Sequence, residues 1–351
     1  MNIVYLYTEI MPYVTVVLEQ LVNLGNVVHV FYLDREKQTP YVPDEIKGVH
    51  YYKESNYTRK ELLFEIIKIK PDILVVCGWS NLKYIHVARV YKSKNLIPVV
   101  CPIDTQYIGR IKQLLGFIVS PFYIKHLFTH IWVPGVRQYH FARMLGYKSN
   151  RILLNSLTGN IALFSQAKIE HKKIEYPKSF LFVGRYQSVK GLDCLLKAWD
   201  MIEDKKGWTI TTIGNGPLEA KLKSRIDINV LGFQNQNELI HLAESHGVFI
   251  LPSIYEPWAL VLQEFAAAGM PILCSDACGA SDHYVINGFN GYCFERGSAY
   301  HLKNRLETFM SMSSEELMLM SERSRMLSSF TTPELSAYSL LSVVKDYNLQ
   351  L

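Results

Sequence analysis

Residues 251–278, LPSIYEPWALVLQEFAAAGMPILCSDAC, contain the pattern that decides the fold. The apolar run that ends at residue 251 predicts a buried strand, and a loop follows it over 252–258. The next segment predicts a helix over 259–268, because the Gly-Met-Pro sequence at 269–271 is typical of residues just beyond a helix end. A second apolar run then completes a strand–helix–strand unit of a parallel sheet.

Two carboxylates flank the start of this predicted helix. Glu256 lies just before it, and Glu264 lies about one turn inside it. The first backbone amides of a helix have no partner within the helix, and the helix dipole favours an anion there, so residues 258–261 can hold a phosphate. A carboxylate one turn further in can accept two hydrogen bonds from a diol such as a ribose. For the two acids alone, the favoured alternative is an ordinary amphipathic helix with Glu264 on its exposed face.

The longer block PSIYEPWALVLQEFAAAGMPILCSDACGASDHYVINGFNGYCFERG, residues 252–297, resembles the donor site of glycosyltransferase family 4, retaining enzymes of the GT-B fold. Glu256 and Glu264 match the two acids of that family, and NGFNG at 287–291 matches its glycine-containing turn. Ala259 is a departure, because family members usually have Gly there. The resemblance implies that Glu256 holds sugar hydroxyls as a catalytic residue and that the nucleotide sugar is bound by Pro257, Trp258, Ala259, Leu260 and Glu264.

A second motif, GRYQSVKGL at 184–192, follows a predicted strand over 180–183. It resembles the family's GR-x(n)-KG loop and helix start. Arg185 and Lys190 can clamp a diphosphate, because two cations around one loop can both bond phosphate oxygens. The motif is specific because it lies about seventy residues before the two acids. The resemblance implies catalytic roles for both cations and nucleotide contacts at the ends of three neighbouring strands, at Gly184, Gly214, Gly232 and Phe233.

The first half of the chain predicts another open parallel sheet, with strands over 2–7, 27–33, 73–76 and 97–101 separated by helices. No G-x-G-x-x-G fingerprint is present, and the first loop has the sequence EIMPY where family members often have Gly-Gly. Asp104 lies just past the strand over 97–101, where ligands of such sheets bind. The resemblance implies a catalytic contact between Asp104 and the donor sugar, and the alternative is a cap for the following helix.

The segment 109–128 mixes basic residues with large apolar ones. Such a segment can lie on a membrane surface. It can equally form a core helix broken at Pro121, and this second interpretation is favoured because an apolar stripe usually faces the core.

Composition is that of a folded two-domain protein. The 351 residues are 49% hydrophobic and 20% charged, which excludes a disordered chain. No two of the six cysteines form a C-x-x-C pair, which predicts reduced core thiols in a cytosolic protein. Cys274, Cys278 and His283 could suggest a metal site, but a fourth ligand is missing. No signal peptide is expected, and the longest apolar run, 114–124, is too short to span a bilayer.

The charge is uneven. Of the net charge of +5, residues 1–155 contribute +8, from 19 Lys and Arg against 11 Asp and Glu, and the remainder contributes −3, from 18 against 21. Seven basic residues and no acidic residue lie between 105 and 151. A basic half indicates a nucleic acid, an anionic membrane or a phosphate-bearing substrate as its partner.

With the resemblance, the sequence predicts an α/β protein of the GT-B fold, in which two Rossmann-like, doubly wound domains face each other across a cleft. The predicted domains are an acceptor-side domain over 1–165, a linker over 165–179, a nucleotide-sugar-binding domain over 175–330, and a helix over 331–351 that crosses back to the first domain.

The predicted function is that of a retaining, hexosyltransferase-type enzyme that moves a sugar from a nucleotide-diphosphate donor to a glycan or lipid-linked acceptor in cell-surface polysaccharide biosynthesis. It needs no cofactor, and no metal is expected because no D-x-D triad is present. A cytoplasmic location at the inner face of the membrane is predicted, with peripheral contact to anionic lipid and no nucleic-acid partner. The alternatives are a non-catalytic protein of the same fold that binds sugar nucleotides or glycans, a sugar-nucleotide epimerase and a phosphorylase.

Overall fold

The structure, a computed structural model, describes residues 1–34 and 45–348 and divides them into two compact units. The first unit is formed by residues 1–159 and 331–351, within the described range, and the second by residues 160–330. Each unit has one parallel β-sheet with helices on both faces.

The first unit has a seven-stranded sheet in the order β3-β2-β1-β4-β5-β6-β7. Its strands are β1 (Asn2–Tyr7), β2 (Val27–Tyr32), β3 (Val49–Lys53), β4 (Ile73–Val76), β5 (Val99–Pro102), β6 (His130–Trp132) and β7 (Ile152–Leu153). Its first helices are α1 (Pro12–Asn23), α2 (Arg59–Ile69), α3 (Leu82–Ser93), α4 (Ile111–Val119) and α5 (Val136–Met144).

The second unit has a six-stranded sheet in the order β10-β9-β8-β11-β12-β13. Its strands are β8 (Ser179–Val183), β9 (Thr209–Ile213), β10 (Ile228–Leu231), β11 (Val248–Leu251), β12 (Ile272–Ser275) and β13 (Gly291–Phe294). Its helices are α6 (Ile161–Phe164), α7 (Leu192–Asp200), α8 (Glu219–Lys223), α9 (Gln236–Ser245), α10 (Leu260–Ala267), α11 (Ser281–Tyr284), α12 (Ala299–Met310) and α13 (Ser314–Ser328). The final helix, α14 (Pro333–Asn348), belongs to the first unit.

Alternation along the strands builds a core on each face of each sheet. In β1, Val4 and Leu6 pack with α2, α3 and α5, whereas Ile3 and Tyr5 pack with α1 and α14. In the second unit, Phe180 of β8 packs with aromatic side chains of α7 and α12. The Phe249 ring of β11 stacks on the ring of Phe265 in α10, with ring centroids 4.2 Å apart. Strands buried on both faces explain why the sequence has continuous apolar runs.

The segment that the sequence assigns to a linker packs against the second unit instead. Lys172 is fully buried, and its Nζ donates hydrogen bonds of 2.7 Å to the carbonyl oxygens of Ala243 and His246. The Tyr176 hydroxyl is also buried and bonds to the Gly247 carbonyl and the Ser321 hydroxyl. Burial lowers the pKa of Lys172 to about 7, because a charged ammonium loses solvation there. The polar composition was misleading because these polar groups are satisfied internally.

The preference for a core helix over 109–128 is wrong for residues 109–119, whereas Ile124, Leu127 and Phe128 of the same segment are buried in the core. Helix α4 contains no buried residue, and its large apolar side chains, apart from the half-buried Phe117, are exposed. The periodicity of the sequence gives the correct helix but cannot show which of its faces meets the domain. In the described part of the chain, no helix is long and apolar enough to cross a bilayer.

Candidate functional site

The candidate site lies at the carboxyl end of the second sheet, where the strand order reverses. From β8 the chain moves outward to β9 and β10, and it then returns to place β11 on the other side of β8. The loops that follow β8 and β11 therefore start next to each other and leave in opposite directions. Ligands of open α/β sheets bind at such a switch point. These two loops, 184–191 and 252–259, contain the two sequence motifs.

An ion pair joins the two loops. The Lys190 ammonium donates to Glu256 Oε2, and the Ser253 hydroxyl donates to the same oxygen at 3.3 Å. Both charged side chains are mostly buried, with 17% of the Lys190 side chain and 14% of the Glu256 side chain exposed. In that environment each charge depends on the other, because removing either partner would leave the remaining charge poorly solvated. Sequence reasoning identified both residues but not their contact.

Backbone contacts hold the same loops together. The Ile254 amide donates to the Val189 carbonyl at 2.8 Å. Gly191 has a φ of +71°, and a Cβ there would lie 1.8 Å from the Pro252 carbonyl oxygen. Only glycine permits this approach, which explains the Lys-Gly pair of the motif.

The loop after β8 also packs against the loop after β9. A Cβ at Gly214 would lie 2.1 Å from the Gly184 carbonyl oxygen, so the two glycines bring these backbones into contact. The Tyr186 side chain is fully buried, and its hydroxyl donates to the Leu231 carbonyl at 3.0 Å and shares a hydrogen bond of 3.2 Å with the Thr212 hydroxyl. Arg185 lies between Gly184 and Tyr186, whose contacts fix its backbone, and its side chain is exposed. Sequence reasoning assigned no role to Tyr186, although a large aromatic residue inside a phosphate-type loop is a signal for such an anchor.

Gly232 follows β10 directly, and the Phe233 side chain beside it is exposed. A Cβ at Gly232 would meet no heavy atom within 4 Å, so this glycine leaves open space beside the strand end. Both residues lie on the same edge of the sheet as Gly184 and Gly214. They are nevertheless two strands away from the loop of Lys190, so the structure does not bring them together with the ion pair.

The start of α10 is held by the segment after β12. The Gly279 amide donates to the Glu256 carbonyl at 3.0 Å, and the Ala280 amide donates to the Trp258 carbonyl at 2.7 Å. The Trp258 side chain is buried and packs edge-on against the ring of His283, at 5.2 Å between centroids. Within the described residues its indole Nε1 is buried without a hydrogen-bond partner. The two remaining predicted residues of this segment, Pro257 and Leu260, are half-buried.

Ala259 precedes the first residue of α10 and has φ 86° and ψ 70°. These angles lie in the left-handed region, which costs a residue with a Cβ about 1–2 kcal/mol. The departure from glycine noted in the sequence therefore falls on a position whose backbone favours glycine. Strained backbone of this kind is concentrated at functional sites.

Glu264 lies one turn inside α10, and its surroundings differ from those of Glu256. Its side chain is half-buried, not on the exposed face that an ordinary amphipathic helix would give it. The protein around the carboxyl raises its pKa to about 7, although a hydrogen bond from the Asn160 backbone opposes that shift. Desolvation outweighs the hydrogen bond, because one amide donor does not replace the lost water. The two acids are thus not equivalent, since a cation adjoins Glu256 whereas burial dominates at Glu264.

Asp104 lies in the first unit, exposed just beyond β5. It is not the N-cap of α4, because that position is Arg110. Its charge adds to burial in raising the pKa values of Tyr7 and Tyr13, so these side chains lie near one another at the carboxyl edge of the first sheet. That edge also has a switch point, because the sheet order places β4 and β2 on opposite sides of β1. The other predicted site residues lie in the second unit.

In the described ranges, 1–34 and 45–348, no group of three or more His, Cys, Asp or Glu side chains is arranged to hold a metal ion. The six cysteines are free thiols, and the Sγ atoms of Cys274 and Cys293 lie 3.7 Å apart on neighbouring strands.

Comparison with known proteins shows that about half of the chain is similar to glycosyltransferases. Residues 164–326 match the family model described as glycosyl transferases group 1. An uncharacterized glycosyltransferase of Haemophilus influenzae is 30% identical over 168 residues, which are 46% of each chain. The capsular polysaccharide biosynthesis glycosyltransferase CapM of Staphylococcus aureus is 25% identical over 181 residues, 47% of each chain. The matched part of this chain spans about half the length of these curated relatives.

The fold of the chain extends the similarity beyond the matched half. The solved structure of Anabaena Alr3699/HepE in complex with UDP has a TM-score of 0.71 to this chain, with 14% identity and all of both chains covered. The chain therefore has the GT-B fold, as the sequence predicts, with a seven-stranded and a six-stranded parallel sheet.

Proposed function

We propose that this chain is a retaining glycosyltransferase that takes its sugar from a nucleoside-diphosphate sugar bound at the carboxyl edge of the second sheet. The contact between Lys190 and Glu256 carries the proposal. It joins a cationic loop suited to a diphosphate and an acidic loop suited to sugar hydroxyls at one switch point. The match of residues 164–326 to group 1 glycosyltransferases and the UDP of the Anabaena structure support the same chemistry.

Breaking the bond between sugar and diphosphate develops negative charge on the leaving group. Arg185, Lys190 and the first amides of α10 are the groups that would stabilise this charge. Lys190 is paired with Glu256 in the site as the structure shows it. A bound diphosphate would take over the ammonium, and the Glu256 carboxylate would then accept hydrogen bonds from the sugar hydroxyls. Positive charge would thereby be available where the leaving group forms.

Glu264 and the ends of β9 and β10 would form the nucleoside part of the site. A carboxylate one turn inside α10 can accept both hydroxyls of a ribose, and an exposed Phe233 beside Gly232 leaves space for a base. Ionised Glu264 is the better acceptor, so nucleotide binding would favour loss of its proton.

The proposed reaction needs no cofactor and no metal, because the cations neutralise the leaving group. In the first unit, Asp104 would contact the donor sugar. We further propose a glycan or lipid-linked acceptor, a role in cell-surface polysaccharide biosynthesis, and a cytoplasmic location at the membrane. CapM, a capsular polysaccharide enzyme similar to half of this chain, supports that role.

Donor turnover tests the proposal. The purified chain is incubated with a panel of nucleoside-diphosphate sugars, and release of the nucleoside diphosphate is measured for wild type, Arg185→Ala and the matched control Lys178→Ala. Arg185 and Lys178 are both exposed in the second unit, but only Arg185 lies on the loop after β8. We expect at least one donor to be turned over, with loss in Arg185→Ala only. Tight donor binding with no turnover under any condition would favour the non-catalytic binding protein instead.

A further inference from the structure

Helix α4 displays its apolar side chains to solvent. Not one of its residues is buried, and Ile118 and Phe122, the latter in the turn just after the helix, are 68% and 80% exposed. The exposed apolar side chains recur at helical spacing, so they form one continuous stripe. The stripe consists of Ile111, Leu114, Leu115, Ile118, Val119 and Phe122.

The opposite side of the helix fastens it to the first unit. The Gln113 side chain accepts a hydrogen bond from the Ile108 amide at 3.0 Å and donates one to the Gln106 carbonyl at 2.8 Å. The Phe117 ring packs edge-on against Phe141, at 5.3 Å between centroids. Just beyond the helix, the buried Ser120 hydroxyl donates to the Leu145 carbonyl at 2.9 Å. The helix is therefore held by its less apolar face, and the orientation of the stripe is fixed.

Basic side chains border the stripe. Lys112 on α4 is exposed, and Arg110 before the helix and Lys125 after it are exposed as well. No acidic residue occurs between 105 and 151. An exposed apolar stripe with bordering cations is the composition of a helix that lies in a membrane interface.

We propose that α4 and its basic border, the α4 surface, dock this chain on an anionic lipid membrane. The stripe would enter the boundary between headgroups and acyl chains while the cations meet anionic headgroups. The α4 surface deepens the membrane contact included in the proposed function by naming the residues that make it. Binding is peripheral and reversible, because α4 has nine residues and a bilayer-spanning helix needs about twenty.

Charge decides between lipid and a second copy of the chain as the occupant. Two α4 surfaces placed face to face would bring like-charged borders together with no acidic residue of that segment to compensate. An anionic bilayer satisfies both the apolar and the cationic parts of the surface. The observations therefore favour lipid, and self-association is an outcome of the test.

Vesicle sedimentation tests the proposal with the full chain. Wild type is mixed with vesicles of phosphatidylcholine alone or with about one-third phosphatidylglycerol, at low and high salt. We expect binding to the anionic vesicles that weakens as salt rises, because surface charge is screened. Replacing Arg110, Lys112 and Lys125 together by Glu should lower the partition coefficient about a hundred-fold or more, since each basic residue contributes about five-fold.

The apolar part is tested separately with Ile118→Ser combined with Phe122→Ser, which should lower binding about ten-fold or more per side chain. Matched controls lie in the second unit. They are Ile226→Ser, at a fully exposed isoleucine, and Glu substitutions at the exposed Lys168, Lys178 and Lys206. Both controls should bind like wild type. The triple charge control changes the net charge by the same amount as the triple variant of the α4 surface.

Three results would overturn the proposal. One is the absence of sedimentation with any vesicle. Another is equal loss in test and control variants, which would indicate an effect of net charge alone. The third is concentration-dependent self-association that Ile118→Ser removes while lipid binding persists. Nucleotide binding is measured in the same samples, so vesicle binding without nucleotide binding would remove the proposed function and leave the α4 surface intact.

Discussion

Replacing Ala259 by Gly should leave the stability of the second unit almost unchanged, although Ala→Gly substitutions in helices normally destabilise. Three terms decide the result. Relief of the left-handed conformation at φ 86° should return about 1–2 kcal/mol. The greater freedom of glycine in the unfolded chain should cost about 0.4–1 kcal/mol. Loss of the buried methyl group should cost about 0.8 kcal/mol. The net change in the free energy of unfolding is therefore close to zero, within about 1 kcal/mol.

Ala266→Gly is the matched control, because this alanine is fully buried inside the same helix. There the first term is missing, so glycine should destabilise by about 1.2–1.8 kcal/mol. The assay is urea unfolding followed by a signal from the second unit, with the free energy taken from the shift in midpoint and the slope. Equal destabilisation by the two substitutions would refute the reasoning, because the conformation of Ala259 would then carry no strain.

Further outcomes follow from the charged groups of the site. Arg185→Ala or Lys190→Ala should lower donor turnover by about 10²–10³, as for the loss of one group that stabilises a developing anion. Wild-type rates in both variants would contradict the proposed diphosphate clamp. Nucleotide affinity should fall more in Lys190→Ala than in the double variant Lys190→Ala/Glu256→Gln, because the single change leaves an uncompensated carboxylate beside the phosphates. Calorimetry that shows the same affinity in both variants would contradict the coupling between Lys190 and Glu256. The Glu264 carboxyl has a pKa of about 7 in the folded protein, against an ordinary value of 4.5. Its ionisation therefore destabilises the fold increasingly as the pH rises from 4.5 to 7. Glu264→Gln should raise the free energy of unfolding above pH 7 but not below pH 4.5, and it should weaken nucleotide binding above pH 7. A stability profile with the same pH dependence in Glu264→Gln as in wild type would assign that shift to another group. Glu256→Gln should mainly reduce discrimination between donor sugars, measured as the ratio of kcat/KM values. Activity should persist in EDTA, and a complete loss that Mn²⁺ or Mg²⁺ restores would contradict a site without metal.

The fold is well predicted from the sequence because both sheets consist of apolar strands buried on two faces, separated by helices with clear end signals. Gly269 and Pro271 mark the end of α10, and the capping boxes at Asn235 and Ser313 start α9 and α13. These signals are local, so they survive in a single sequence.

The site depends on contacts between residues that are distant in the sequence, and such contacts are harder to predict from the sequence. Lys190 and Glu256 are 66 positions apart, and they meet only because the sheet order places β8 beside β11. The burial that raises the pKa of Glu264 likewise comes from its surroundings in the fold and not from its neighbours in the chain. No motif in the sequence specifies the strand order, although that order brings two separate motifs into one site.

For helix α4, the sequence predicts the helix but not its orientation on the domain. Its periodic apolar residues are evident in the sequence, but periodicity gives the stripe without the side on which the domain lies. Gln113 and Ser120, which fasten the other face, are ordinary polar residues with no pattern of their own.

Thermal unfolding with a panel of nucleoside-diphosphate sugars tests the central claim most directly, because a ligand that binds only the folded state raises its melting temperature. At a concentration of about a hundred times Kd, binding should stabilise by about 2.7 kcal/mol, a shift of about 5–10 °C for a unit of this size. We predict such a shift for at least one donor in wild type and in Lys178→Ala, and a much smaller one in Arg185→Ala. No shift with any nucleotide sugar, or an equal shift in Arg185→Ala and wild type, would contradict a donor site at the carboxyl edge of the second sheet.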